Sequence, residues 1–577
     1  MATATIEREK ATATVEKAKP QIIDQFLGDA SFPIAWKDEA EKRLHFWYDD
    51  LHNPQPVSPM FFDLGGWWST CKYMYRRFGV PFGQDWVAKT VDEYVHTAVV
   101  PREEQDAKDI GAYFGMVMPI YADKFLGWWK ERLLPEIKRN FEYIDNYPLE
   151  EVSLAEAMIV FEDMVDIQER HFNLHWVLNL AQFQATMTFQ NHVAQFLGAG
   201  NEELANRILI SDEDRNWDSI NELAKLKDII KANPTLKAAF AKPVSAILPE
   251  LAKSAEGIEF LKKIDAYKTE YGHKSMYAHE FVNETWVENP APILTALKGY
   301  VETDYSYEAD VKRLRDNRQK AIDELWAKFP KTASEEDRKT LANSLDLALK
   351  MTPLTPDHHF YMDQGTYART HEVLMAIGRK LVKAGVLNEP LDIVFLKYDE
   401  LRKLSANFEL FDAKALVAER KAKRLDAFDR KARLWCGTID HWSLYEEPYK
   451  AGLWGWPGVY LKQKERAALS ASALTGLGVS AGIVEGVAHV VSSPAEFDQV
   501  KKGEILVCQM TSPAWVVLFT KISGLVTDSG GALSHPAVVS REFEIPAVVG
   551  TIDATTKIKT GDRVRVDGDR GSVTILS

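Results

Sequence analysis

Cysteine is scarce: Cys71, Cys436 and Cys508 are the three in 577 residues, with no CxxC and no paired spacing. That excludes a disulfide framework and a thiolate zinc site, and it points to a reducing compartment. No apolar run approaches the ~20 residues of a membrane span. The opening residues, Met1 to Lys10, lack a hydrophobic signal core, so the expected location is cytoplasmic, without a membrane partner. Positive charge is also short. Lys and Arg total 70 against 84 Asp and Glu, a net charge of −14, which argues against nucleic acid or an anionic bilayer as the main partner. Internal repeats are absent, and so is a phosphate-binding glycine loop of the P-loop or dinucleotide type.

What is present is a globular composition, 46% hydrophobic, in a chain long enough for roughly two to four domains. Residues 1–20, rich in Ala, Thr, Glu and Lys, read as a flexible tail. Residues 21–461 read as one large, mainly α-helical domain. Apolar positions recur at helical spacing from Glu151 to Phe196 and from Asp412 to Trp435, and strand-turn-strand signals are nearly absent. The basic run Arg420 to Arg424 reads as a solvated helix face, since acidic residues are interleaved nearby. Residues 462–475 are small and polar and read as a linker. From 476 to 577 the pattern changes to short β-branched strands: Val487–Val491, Ile505–Val507, Val564–Val566 and Val573–Leu576. The fold class expected is therefore multidomain, a large helical domain followed by a small α/β domain.

The small domain centres on Gly524 to Gly550. Gly524–Val526 reads as a buried strand and Ile545–Val549 as another. Between them, Thr527-Asp-Ser-Gly530-Gly531 breaks regular structure and lets backbone approach a ligand. Ser534-His535-Pro536 reads as the start of a helix, where proline is tolerated. His535 thus sits at a strand-to-helix turn whose N–H groups favour an anion. A neutral imidazole there can be a nucleophile and be phosphorylated. A lone glycine pair beside a histidine is more often only a structural turn.

This stretch is longer than that. It resembles the mobile phosphohistidine domain of the phosphoenolpyruvate-utilising, dikinase-like enzymes. That family's signature falls on Thr527, Gly530, Gly531, Ser534, His535, Ala537, Arg541 and Glu542, with Pro536 as the departure from the usual alanine. Gly476–Gly486 resembles the domain's opening glycine motif, and Gly503–Val507 with Thr511–Trp515 its middle. The resemblance implies a swivelling domain with His535 as phosphoryl carrier and Thr527, Gly530, Gly531, Ser534 and Arg541 as phosphoryl-binding residues.

In the helical region, aromatics concentrate: Phe61, Phe62, Trp67, Trp68, Trp128, Trp129, Trp176, Trp454 and Trp456 among them. Most must be core. Phe61, Phe62, Trp67 and Trp68, around Gly65-Gly66, read as the wall of a flat substrate pocket. His171 and His175 share a helical face, but with no third ligand in view they read as buried polar packing, and no metal site is expected. Tyr271 to Phe281 reads as a polar loop between helices. It also resembles a Tyr-Gly-His/Met-Arg…Glu motif of rifamycin phosphotransferases and related proteins, with Lys274 in the arginine position. That resemblance makes Lys274, His273, His279 and Glu280 the acceptor-side catalytic candidates. Asp357 to Asp363 precedes a segment, Arg379 to Leu401, that resembles the same domain's late region.

Carrier enzymes of this kind need a phosphoryl source. A phosphoenolpyruvate barrel takes about 250 residues, more than follow His535, and residues 21–461 lack the strand-rich pattern of an ATP-grasp fold. The split organisation resembles the larger subunits of phenol and cresol phosphate synthases. It implies a separate ATP-grasp donor subunit that uses ATP and Mg²⁺, no cofactor held tightly by this chain, and a phenolic acceptor. A rifamycin-like antibiotic is the alternative acceptor, and a phosphorylation-dependent regulatory protein the alternative role.

Overall fold

The computed structural model describes residues 25–576, apart from 82, 199, 431, 439–472, 493–495, 498, 512–514 and 532–533. The expected tail, Trp454, Trp456 and linker positions 462–472 lie outside the described residues. The last three linker positions do not form a linker. Ala473–Thr475 is a strand paired with Ser572–Thr574, so the small domain begins before 476. Among the described residues no helix is long and apolar enough to cross a membrane.

The large domain is helical, as its periodicity indicates, but it also holds a five-stranded antiparallel sheet that the sequence reading missed. Its strands are β1 (Gln25–Phe26), β2 (His45–Tyr48), β3 (Asp85–Val91), β4 (Tyr94–Val100) and β5 (Trp435–Thr438), in the order β1-β5-β2-β4-β3. The β3–β4 hairpin turns on Asp92 and Glu93, whose φ values of 53° and 65° are those of a type I′ turn. Asp-Glu lacks the glycine that normally marks such a turn, so the hairpin gave no local signal. The helix expected to run on to Trp435 stops at Asp429, and β5 carries the chain back beside β1 and β2.

The helix Leu154–Leu197 runs for 44 residues behind an N-cap at Ser153, whose hydroxyl accepts from the Glu156 N–H. Gly365–Lys383 packs along it. Beside them Trp67 meets Trp86 edge-on at 5.1 Å and Trp176 at 5.7 Å. Its indole N–H donates to Asp49 at 3.1 Å, which satisfies the polar tip that such a ring carries into a core. The basic run is not simply solvated: Arg420 bridges Glu400 and Lys421 pairs with Asp392.

The C-terminal domain has strands β6 (Ala473–Thr475), β7 (Leu477–Ser480), β8 (Ile483–Val491), β9 (Ile505–Cys508), β10 (Gly524–Thr527), β11 (Ala547–Val549), β12 (Arg563–Asp567) and β13 (Ser572–Ile575), ordered β6-β13-β12-β8-β9-β10-β11-β7. β8 does double duty: its first half pairs antiparallel with β12 and its second half parallel with β9. β8 to β11 are parallel. Every residue of β9 and β10 is buried, the unbroken apolar pattern of strands covered on both faces.

This domain does not stand apart. Its inner face shares one hydrophobic core with the helices between Arg215 and Thr303. Phe543 stacks on Trp217 at 5.6 Å and 13°, Arg313 bridges Glu544 at 2.5 Å, and Gln509 donates to the Pro54 carbonyl at 2.6 Å.

Two glycines give opposite tests of this packing. A Cβ at Gly568 would lie 1.9 Å from the Ser480 carbonyl oxygen, which is backbone and cannot step aside. Gly568→Ala is expected to cost at least about 1–3 kcal/mol. Gly115 lies inside the helix Glu104–Trp128 with nothing within 4 Å of its Cβ position, so Gly115→Ala should stabilise by about 0.5–1 kcal/mol. Urea midpoints of the two variants check both signs.

Candidate active site

β9 and β10 deliver their carboxyl ends to one edge of the sheet, where ligands collect in parallel α/β folds. The loop after β9 brings Thr511, and the loop after β10 brings His535. Gly530 takes φ +123°, closed to ordinary side chains, and a Cβ there would meet Ser534 Oγ at 2.9 Å. The Thr527 hydroxyl donates to the Ser529 carbonyl at 2.6 Å, and Ser534 Oγ to the Gly531 carbonyl at 2.8 Å. Thr527 and Ser534 therefore tie the loop to itself. Thr527, Gly530 and Gly531 are not among the residues that line the cavity described below, so the Thr527 side chain serves to shape the turn. Ser534 is the N-cap, His535 opens the helix His535–Glu542, and Pro536 occupies the first turn.

His535 Nδ1 lies 2.9 Å from Thr511 Oγ1. Its Nε2 is out of solvent and has no hydrogen-bond partner. The arrangement that leaves Nε2 nucleophilic has Nδ1–H donating to Thr511. Burial, with a smaller contribution from His359, holds the imidazole well below its usual range, so the ring is neutral near pH 7.

His535 lines a cavity of about 160 Å³ between the two domains. The carrier side contributes Met510, Thr511, Ser534, His535, Val538 and Arg541; the helical side includes His175, Trp176, Tyr277, His279, His358, His359 and Asp363. Burial lowers the Arg541 guanidinium to about 10, still a cation at neutral pH. Burial and then Asp214 push the adjoining Glu542 carboxyl well up.

Of the acceptor-side candidates, the structure brings only His279 to this cavity. Its ring lies 5.2 Å from those of His52 and Tyr367, its Nδ1 has no partner, and burial lowers it to about 3. The loop is not helical, so its neighbours diverge. His273 Nδ1 is 3.1 Å from Glu372. Lys274 lies over the Trp286 ring at 4.2 Å, within reach of Ser219, and burial followed by Arg215 lowers it to about 7. Glu280 accepts from the Ser58 N–H and hydroxyl and from the Phe281 N–H, a clamp between segments. Phe61, Phe62, Trp67 and Trp68 do not line the cavity. Phe61 lies one layer behind, edge-on to His279 at 6.5 Å, and the others pack in the large core.

The sequence reading missed Thr511 as a site residue, although it stood in the quoted Thr511–Trp515 motif. It also missed the group His175, His358, His359 and Asp363. His358 and Asp363 are joined by a π-helical turn, His359–Gln364, which brings i and i+5 to one side; an α-helical reading separates them. His171 is the packing residue expected, held by Thr366 and Asn140.

Comparison with known proteins agrees with this division. Residues 500–571 match the family described as PEP-utilising enzyme, mobile domain. Residues 175–355 match the rifampicin phosphotransferase fourth domain. The chain thus couples a mobile domain of the phosphoenolpyruvate-utilising type to a rifampicin phosphotransferase-like helical region. Among individual relatives, it is 30% identical over 351 residues to the "Uncharacterized phosphotransferase YvkC" of Bacillus subtilis (strain 168), covering 60% of this chain and 40% of that one. It is 28% identical over 426 residues to the rifampicin phosphotransferase of Bacillus cereus, covering 72% and 46%. Over 100 residues it is 53% identical to the "Probable phosphoenolpyruvate synthase" of Pyrococcus horikoshii, covering 17% and 12%. The chain spans less than half the length of each of these relatives.

Buried neutral histidines set an acid limit on stability. His171 and His279 are both lowered by burial to about 3, whereas an unfolded histidine titrates near 6.5. Protons therefore bind the unfolded chain first. Stability should be level above about pH 6.5 and fall below it by about 1.4 kcal/mol per pH unit for each such ring. Urea midpoints at pH 7.5 and pH 5.5 measure the drop.

Proposed function

We propose that this chain is the carrier-and-acceptor part of a phosphotransferase. His535 receives a phosphoryl group and passes it to the hydroxyl of a small phenolic compound. The observation that carries this reading is the neutral His535 ring, with a buried and unpartnered Nε2, in the wall of a cavity between the two domains. A cavity of roughly 150 Å³ is known to take benzene, and this one, at about 160 Å³, suits a single aromatic ring. Trp176 and Tyr277 in its lining suit an aromatic acceptor. The rifampicin phosphotransferase match supports the alternative, a bulky antibiotic acceptor; the volume favours the smaller ring.

The donor is assigned to a separate ATP-grasp polypeptide with ATP and Mg²⁺. The described residues from 25 to 438 form helices and one antiparallel sheet that are committed to the cores around the acceptor face. In the transfer step the acceptor oxygen attacks phosphorus opposite Nε2. The O–P bond forms as the P–N bond breaks, and its electron pair returns to Nε2. Thr511 holds the ring in one orientation throughout, and Arg541 balances charge on the equatorial oxygens. His279 and the His359–Asp363 pair stand where a phenolic proton could be taken.

Labelled ATP and the donor protein should place an acid-labile, base-stable adduct on the wild-type chain. His535→Ala should take up none. Thr511→Val should be labelled roughly tenfold more slowly, the value of one orienting hydrogen bond of about 1.4 kcal/mol. Labelling of His535→Ala at the wild-type level would falsify the carrier assignment. A panel of phenol, cresols and rifampicin, read as release of label, separates the two acceptor classes.

A further inference from the structure

The helical wall of the cavity holds a group that phosphoryl carriage does not use. His175 comes from the long helix Leu154–Leu197, His358 ends the helix Leu354–His358, and Asp363 sits in the π-helical turn that follows. One ligand atom from each lies within 4.8 Å of the others. All three residues are at most 5% exposed. The His358 Nδ1 is 3.2 Å from the Leu354 carbonyl. Donation there leaves the Nε2 lone pair aimed at the cluster, which is how a metal-ligating histidine is usually oriented. One Asp363 oxygen is engaged by His359. The other, Oδ1, lies 3.2 Å from His175 Nδ1, yet both atoms are buried without a hydrogen-bond partner. The two atoms form an ion pair only when the His175 ring is protonated; with a neutral ring, a cation held by both satisfies them.

We propose that His175, His358 and Asp363 form a divalent transition-metal site opening onto the His535 cavity, where the ion activates the acceptor hydroxyl. Two imidazoles and one carboxylate suit Zn²⁺, Mn²⁺, Fe²⁺ or Co²⁺ rather than the all-oxygen surroundings favoured by Mg²⁺ and Ca²⁺. Three protein ligands leave a position for substrate, as in catalytic zinc sites. The catalytic half of the proposal rests on the phosphotransfer reading; the binding half does not. The acceptor oxygen binds the ion, its O–H bond breaks and the proton passes to His279, whose Nδ1 has no partner in the cavity wall. The oxygen then forms its bond to phosphorus as the P–Nε2 bond breaks and the electron pair returns to Nε2.

Binding is tested on the full chain without a histidine tag, dialysed against Zn²⁺ or Co²⁺ alone. One equivalent is expected in the wild type and in His273→Gln, which lies at Glu372 outside the cavity. His358→Gln and Asp363→Asn should lose it, with circular dichroism checking their fold. Should those variants unfold, the visible spectrum of the Co²⁺-loaded wild type decides: added phenol should perturb it. Absence of a stoichiometric ion in the wild type, or equal binding by folded variants, overturns the site; a Co²⁺ spectrum unchanged by phenol overturns the contact between acceptor and ion. The catalytic half is read in a single turnover of phosphorylated chain freed of donor and treated with a chelator. Discharge to phenol should slow at least roughly 100-fold and recover with Zn²⁺, Mn²⁺ or Co²⁺. An unchanged rate overturns the activating role. If His535 accepts no label at all, the carrier reading fails while the dialysis result still stands on its own.

Discussion

Keeping His535 Nε2 away from water is the constraint on which the surrounding structure depends. An imidazole in solvent titrates near 6.5 and would share a bound phosphoryl group with water. Here the ring lies between two bodies, and burial keeps it neutral. Desolvation alone would leave the ring free to turn, so Thr511 fixes it from the neighbouring β9 loop. The same exclusion of water strengthens the Arg541 charge at the cavity edge. The cost of making this interface is met by apolar burial behind it, through Trp217, Phe543 and the shared core.

The carrier loop achieves its precision by local means. Gly530 adopts a backbone conformation that places the turn, and Thr527 and Ser534 close it with short hydrogen bonds to backbone carbonyls. None of these groups needs the helical domain to hold its shape. A loop stabilised from within its own domain owes its geometry to no hydrogen bond across the interface. The acceptor wall is built differently. His175, His279, His358 and Asp363 come from segments separated by up to some 190 positions, and no one of them means anything without the others.

That contrast explains what was legible in the sequence. The carrier domain was readable because its chemistry is local: strand, glycine turn, Ser534 cap and His535 follow one another, and each adopts the structure its residue type favours. The long helix from Leu154 was readable from its period. The hairpin at Asp92-Glu93 was not, because non-glycine residues take its left-handed turn and tertiary pairing forces them to. The acceptor candidates around Lys274 were read as one cluster, but an irregular loop sends His273, Lys274, His279 and Glu280 to four different partners. The histidine group was hidden for a related reason: its i, i+5 pairing needs a π-helical turn, a local defect in helical period that residue types do not announce.

The division of labour has a consequence for how such a site can change. Under the proposed function, the face that carries His535 fits both a donor and an acceptor, so substitutions at Thr511, Ser534 or Arg541 would disturb two half-reactions at once. The helical wall is constrained once, by the acceptor. Its aromatic residues and histidines line the cavity from the helical side. Under the proposed function, acceptor chemistry could therefore be retuned on one side of a cavity of about 160 Å³ without altering the His535 side. What links the two sides is the shared core, in which Trp217 and Phe543 set how close the walls stand. Changes there move Nε2 relative to the acceptor even though neither ring borders the cavity, and a displacement of about 1 Å is enough to cost transfer much of its rate.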